Sequence, residues 1–207
     1  MTTERFTIRH CAVAITGASG AAYGLRLVKE LLGADQRVTL LLTTAGRQVV
    51  QHEVGLKLEE AIAERRRQVQ DHFASIAVDC VANDDYFSGL ASGSAAPDVM
   101  VVAPCSMGTA GRIAAGLSNN LIERAADVML KEKRPLILVP RETPLNTIHL
   151  ENLLRLASAG AVILPAMPAF YHNPPSIEAL IDFVVGKILD QIGIAHRLYA
   201  RWGESQE

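Results

Sequence analysis

The sequence predicts an α/β protein, a single domain on a doubly wound, mostly parallel sheet. Short apolar runs of strand length alternate with segments of helical periodicity. Small, glycine- or hydroxyl-rich turns follow directly on two of those runs, as loops at strand carboxyl ends do in such folds. With 207 residues, of which 49% are apolar and 20% charged, the chain has the material for one full core. Residues 1–207 read as one unit, with a core at 10–194 and a tail at 195–207, and no internal repeat or linker divides them.

Composition also excludes several functions. The net charge is −2, and no basic block points to nucleic acid. Arg65-Arg66-Arg67 follows Glu59, Glu60 and Glu64, as on a solvated helix face. The first ten residues contain no apolar signal core, and no run reaches the about 18 apolar residues of a membrane helix. Cys11, Cys80 and Cys105 are an odd, widely spaced set, which argues for a reducing cytoplasm and against a disulfide framework. No cysteine or histidine has metal-site spacing to another, so no metal is expected.

Taken in order, Cys11-Ala-Val-Ala-Ile15 is the first strand, and a helix runs from 21 to about 32. Between them, Thr16-Gly-Ala-Ser-Gly20 makes either an anion site at a helix start or a tight strand-to-helix connection. Its glycines do not fit the dinucleotide fingerprint. The second strand, 37–42, ends in Thr43-Thr44 instead of the acid that holds a dinucleotide ribose. Those hydroxyls suit a phosphate or polyol, or a helix cap. Residues 45–53 read as a short helix, 56–70 as a polar one and 76–81 as a strand. Asp84-Asp85 reads as a solvated turn in preference to a metal pair, and Ala91-Ser-Gly-Ser94 as a small hydroxyl-rich loop.

The strand at 99–103 leads into Pro104-Cys-Ser-Met-Gly-Thr109, a second candidate phosphate cradle. Cys105 there is a nucleophile or, with no neighbouring histidine in sequence, a buried inert thiol. Residues 118–133 form a helix with Ser118 as its cap and Leu121, Ala125, Val128 and Met129 as its apolar stripe. Arg124 and Lys131 lie on one side of it, as surface cations or as two charges for one anion. The run 135–139 is a strand ended by Pro140, and Arg141-Glu142 sits between Pro140 and Pro144 at the carboxyl end, where such sheets bind ligands. A helix at 147–159, a strand at 161–164, a proline-rich loop with Phe170 and Tyr171, and a helix capped by Ser176 complete the core. Trp202, in the tail, is the only tryptophan.

Six segments in order resemble the UbiX-type flavin prenyltransferases: Gly17-Ala-Ser-Gly20, Ala91-Ser-Gly-Ser94, Pro104-Cys-Ser-Met107, Asn120-Leu-Ile-Glu-Arg-Ala-Ala-Asp127, Pro140-Arg-Glu-Thr-Pro144 and Pro165-Ala-Met-Pro-Ala-Phe-Tyr171. The resemblance implies a flavodoxin-like cytoplasmic subunit that forms a homo-oligomer, commonly a dodecamer. It also implies transfer of a dimethylallyl group from dimethylallyl monophosphate to N5 and C6 of reduced FMN, without a metal. The product, prenylated FMN, would serve a separate UbiD-like decarboxylase.

By the same resemblance, Gly17, Ala18, Ser19, Thr43, Ser106, Met107, Gly108, Thr109 and Arg141 hold FMN. Tyr171 and Lys187 hold the prenyl phosphate, with Arg141, Lys131 and Ser19 nearby. Glu142 shuttles a proton to the leaving phosphate. Ser19 and Glu53 relay the proton lost on ring closure, with Glu53 supplied across a subunit contact. Arg124 orients this network and Trp202 closes the prenyl pocket. Thr43 stands where many relatives have Ser, Gly108 where Lys is common, and Ala95 where an aromatic is frequent. Two other readings compete: a carrier that binds FMN without chemistry, and an FMN-dependent decarboxylase of peptidyl-cysteine type. The latter family has Pro-Ala-Ser-Ala-Asn-Thr where this chain has Pro104-Cys-Ser-Met-Gly-Thr109.

Overall fold

The computed structural model describes residues 8–201. Its strands are β1 (His10–Ile15), β2 (Arg37–Leu42), β3 (Val78–Val81), β4 (Val99–Cys105), β5 (Leu136–Pro140) and β6 (Val162–Ile163). They form one sheet in the order β3-β2-β1-β4-β5-β6, and every neighbouring pair is parallel. The expected "mostly parallel" sheet is thus wholly parallel among the described residues. Its order is the Rossmann one, not the flavodoxin one, and it reverses direction between β1 and β4.

The helices are α1 (Ala21–Gly33), α2 (Thr44–Val54), α3 (Ile62–Phe73), α4 (Met107–Ala114), α5 (Leu121–Lys131), α6 (Thr147–Ser158) and α7 (Ile177–Ile192). Because successive strand residues face opposite ways, the apolar runs feed two cores. Cys11, Val13 and Ile15 pack with Leu27, Val50, Val69 and Val185 on the α1, α2, α3 and α7 side. Ala12, Ala14, Met100 and Val102 pack with Ile113, Met129 and Leu156 on the α4, α5 and α6 side. Continuous hydrophobicity in the strands follows from this two-sided burial.

Several boundaries differ from the sequence reading. The polar helix expected at 56–70 begins only at Ile62. Gly55, at φ 75°, ends α2 in the left-handed region, and the buried Arg65 donates to the carbonyls of Glu59 and Glu60, holding the intervening loop. The helix expected from Ser118 starts at Leu121, and its cap is Asn120, whose side chain accepts from the Glu123 N–H at 3.0 Å. Helix α4 has no counterpart in the sequence reading. β4 runs through Pro104 to Cys105, and Ser106 caps α4 immediately after it.

The two halves of the sheet are tied at the reversal point by fully buried Thr16. Its hydroxyl donates to the Pro104 carbonyl at 2.8 Å and accepts from the Ser106 N–H at 2.8 Å. Its own N–H also reaches the Pro104 carbonyl, at 3.2 Å. Thr16→Val keeps the shape but leaves that carbonyl and N–H short of partners, so it is expected to destabilise the fold by about 1–3 kcal/mol in chemical denaturation. An unchanged denaturation midpoint would contradict this role.

Candidate active site

The loops after β1, β4 and β5 meet at the carboxyl edge, across the reversal point. The Arg141 N–H reaches the Cys105 carbonyl at 3.3 Å, and its Nε donates to the Ser19 carbonyl at 3.0 Å. Arg141 is half-buried, and no carboxylate pairs with it among the described residues. Glu142 beside it is exposed, and its carboxylate accepts from the Thr143 N–H at 3.1 Å.

Glu53 comes to this cluster from the end of α2 in the same chain, which corrects the expectation that it crosses a subunit contact. Its Oε2 accepts from the Gly20 and Ala21 N–H groups, both at 2.9 Å. The anion expected at the start of α1 is therefore the chain's own carboxylate. Burial pushes the Glu53 carboxyl up, but hydrogen bonds from Ser19, Gly20 and Ala21 and the charge of Arg141 outweigh it and hold it below the usual range. The glycines nearby serve packing. A Cβ on Gly17 would lie 2.7 Å from Ala45 Cβ, and one on Gly24 would lie 2.3 Å from the Ala103 carbonyl oxygen.

The hydroxyls read as phosphate cradles have local partners too. Thr43 caps α2 by accepting from the Gly46 N–H at 2.9 Å. Ser106 caps α4, and its hydroxyl donates to Thr109 Oγ1 at 3.0 Å. Thr109 in turn accepts from Arg112 at 3.2 Å, and Arg112 Nε pairs with buried Glu123 at 2.5 Å. Glu123 was not anticipated as part of the site. Burial raises its carboxyl, but Arg112, Asn119 and Asn120 outweigh this and lower it. It braces α4 against α5 and so fixes Ser106 and the first turn of α4, which carries Met107, Gly108 and Thr109.

Cys105 is wholly buried, and burial pushes its thiol up to about 12, so no thiolate is available near neutral pH. The inert reading of this cysteine is the one the structure supports. Among the described residues, no three His, Cys, Asp or Glu side chains gather as a metal site, and no helix is long and apolar enough to cross a membrane.

The remaining expected residues fall into two further clusters. Arg124 donates from Nε to the Ala91 carbonyl at 3.2 Å and pairs with Asp127 at 2.8 Å. Lys131 pairs with Glu132 beside Gly93, so the Ala91–Ser94 loop and both cations form one group. That group runs along α5 toward the amino edge of the sheet. Lys131 ends α5 just before β5 begins, whereas Arg141 follows the last residue of β5, so the two lie at opposite ends of that strand and the expected proximity does not arise within one chain. The third cluster holds Tyr171 and Lys187, linked by Phe183. The Tyr171 ring meets Phe183 edge-on at 6.0 Å, and Lys187 Nζ lies 5.6 Å from the Phe183 centroid. His172 stacks on Phe183 at 5.5 Å. Trp202 lies outside the described residues.

The residues at the carboxyl edge between β1 and β4 suit a flavin mononucleotide: Ala18, Ser19, Ser106 and Gly108 are small, Arg141 offers a charge for a phosphate or a flavin carbonyl, and β2 ends in Thr43-Thr44 in place of the acid that a dinucleotide ribose would need. A Cβ on Gly108 would meet only Arg112 Nη1, at 3.4 Å, so the first turn of α4 is open to a close-lying ring.

Comparison with known proteins agrees with this geometry. A family model described as "Flavoprotein" matches residues 2–189. A flavin prenyltransferase UbiX from Halalkalibacterium halodurans is 52% identical over 197 residues, covering 94% of each chain. The crystal structure of AnUbiX (PadA1) in complex with FMN and dimethylallyl pyrophosphate superposes with a TM-score of 0.84 at 36% identity, covering 97% of this chain and 100% of that one. A dodecameric FMN-dependent UbiX-like decarboxylase from Escherichia coli O157:H7 gives 0.82 at 37% identity, covering 94% and 100%.

Because the Glu53 carboxyl is lowered in the fold, its contacts add stability above the unfolded carboxylate pKa and lose it as pH falls through the folded value. Thermal unfolding across the acid range is expected to show this loss in the parent protein. Glu53→Gln should lack that component. Parallel pH profiles for the two would contradict the assignment.

Proposed function

The chain belongs to the flavoprotein family, among the UbiX-type flavin prenyltransferases, and from that membership we propose that it moves a dimethylallyl group from dimethylallyl monophosphate onto N5 and C6 of reduced FMN. The observation that carries this reading is the convergence of Ser19, Glu53 and Arg141 at the β1/β4 crevice, with no carboxylate paired to Arg141 among the described residues. An FMN carrier needs no ionised carboxylate held at that point.

FMN, when bound, supplies the nucleophilic N5 and the neighbouring C6. Gly17, Ala18, Ser19, Thr43, Ser106, Met107, Gly108, Thr109 and Arg141 would hold it. Tyr171 and Lys187 would hold the prenyl phosphate. A phosphomonoester carries about −1.5 to −2 charges near neutral pH, and loss of the allyl group concentrates negative charge on it. Cations that bind the departing phosphate more tightly than the substrate lower the barrier. Arg141, Lys187 and Lys131 are those cations, and the reading has no role for a metal. Glu142 donates a proton to the phosphate. Glu53, ionised at neutral pH, accepts through Ser19 the proton lost on ring closure.

Lys131 lies at the opposite end of β5 from Arg141 in one chain, so in this reading a second copy brings it, with Arg124 to orient the network, to the crevice. This is the part that a homo-oligomer, in our reading a dodecamer, plays in catalysis. Trp202 would close the prenyl pocket. We assign the product to a UbiD-like decarboxylase and the protein to the cytoplasm, where three buried free thiols stay reduced.

Release of inorganic phosphate from dimethylallyl monophosphate, under reducing, oxygen-free conditions with FMN, tests the reaction. Glu142→Gln is expected to slow that release by about 10²-fold or more while leaving FMN affinity unchanged. Full turnover in this variant would remove Glu142 from the mechanism. A parent protein that binds FMN yet releases no phosphate from the monophosphate or the diphosphate would overturn the function.

A further inference from the structure

Lys187 belongs to a construction that the prenyl-phosphate reading does not use. Asp190 lies one turn further along α7, close enough in sequence for a direct ion pair with Lys187. That pair is absent, because other groups occupy the Asp190 carboxylate. The Tyr199 hydroxyl donates to Oδ2 at 2.6 Å, Arg201 donates to Oδ1 at 2.8 Å, and His196 Nε2 lies 3.2 Å from Oδ1. Burial alone would raise the Asp190 carboxyl, but these three partners outweigh it and hold it down at about 2.

The chain after Gly193 thus turns back along α7 and is pinned there. Gly186 makes this crossing possible. A Cβ at that position would lie 2.5 Å from Tyr199 Cε1 and 2.7 Å from His196 Cε1. The pinned segment places the Tyr199 ring beside Phe183, with centroids 4.9 Å apart, and Lys187 Nζ lies 5.2 Å from the Tyr199 centroid. Lys187 therefore meets two aromatic faces, and no carboxylate pairs with it among the described residues. A short bond from the phenol to a carboxylate enriches the ring in electron density, which strengthens its hold on a cation.

We propose that Asp190 and Tyr199 are positioning residues for Lys187: Asp190 anchors the segment 194–201, and Tyr199, with Phe183, fixes the ammonium in place and leaves its charge for the phosphate of the prenyl donor. This rests on the assignment of Lys187 to that phosphate. A long lysine side chain loses several rotatable bonds when it binds an anion. Aromatic faces that hold it beforehand reduce that loss without neutralising the charge, as a carboxylate would.

The test is steady-state kinetics with the full chain, reduced FMN and dimethylallyl monophosphate, comparing Lys187→Ala, Tyr199→Leu, Tyr199→Phe and Gly186→Ala. Gly186→Ala favours the helix intrinsically but drives the Tyr199 ring away, so it separates positioning from folding. Tyr199→Leu and Gly186→Ala are expected to raise KM for the prenyl phosphate roughly tenfold, with kcat and FMN affinity within about twofold of the parent. Tyr199→Phe, which keeps the ring, should recover much of that loss. If Lys187→Ala raises this KM while Tyr199→Leu and Gly186→Ala do not, the positioning role is wrong and the Lys187 assignment stands. A parallel loss of FMN affinity would assign Tyr199 a general structural role and overturn the proposal. An unchanged KM in Lys187→Ala would overturn both.

Discussion

The molecule depends on a single buried hydroxyl at the point where the sheet reverses. Thr16 follows β1 directly, and its side chain bonds to both the carbonyl and the N–H that flank Cys105 at the end of β4. Adjacent parallel strands leave in opposite directions here, so nothing in the regular ladder fixes the separation of their loops. Thr16 does, and the loops it joins carry Ser19 on one side and Ser106 to Thr109 on the other. Ser106, Thr109, Arg112 and Glu123 extend the same hydrogen-bonded chain into α5. The loops after β1 and β4 are therefore tied to each other and to α5.

The charges at the carboxyl edge and in the separate cluster on α7 follow a common logic. Glu53 is bound by the N–H groups that begin α1, and Asp190 by a phenol, an arginine and a histidine. Both carboxylates are supplied with donors other than the nearest functional cation. Arg141 and Lys187 are left with carbonyl and aromatic partners, which orient a positive charge without cancelling it. For a reaction whose leaving group is a phosphate, the roles proposed for Arg141 and Lys187 would put these cations where negative charge grows.

Much of this was legible in the sequence. The strand at 37–42, the strand read at 135–139 and found at 136–140, and the helix capped by Ser176 follow from apolar runs, prolines and a serine at the right places. The six short motifs contain Ser19, Ser106, Arg124, Arg141, Glu142 and Tyr171 among the residues expected at the site. The arrangement of those residues was not legible, for physical reasons. Glu53 and Gly20 are 33 positions apart, and the N–H donors that claim the carboxylate are visible only once α1 and α2 pack together. Helix α4 was missed because its first turn, Met107-Gly-Thr, resembles a loop in composition and is specified by the Ser106 cap. The separation of Lys131 from Arg141 is a consequence of chain direction along α5, which no motif encodes. Tyr199 reaches Lys187 only because Gly186 lacks a side chain.

The central claim is that this fold joins a prenyl group to the flavin it binds. The most direct measurement is the mass of the flavin extracted after anaerobic incubation of the protein with reduced FMN and dimethylallyl monophosphate, without added metal. The account expects a flavin heavier by one prenyl unit. Unmodified FMN, recovered from protein that binds it and is supplied in turn with the monophosphate and the diphosphate, would contradict it.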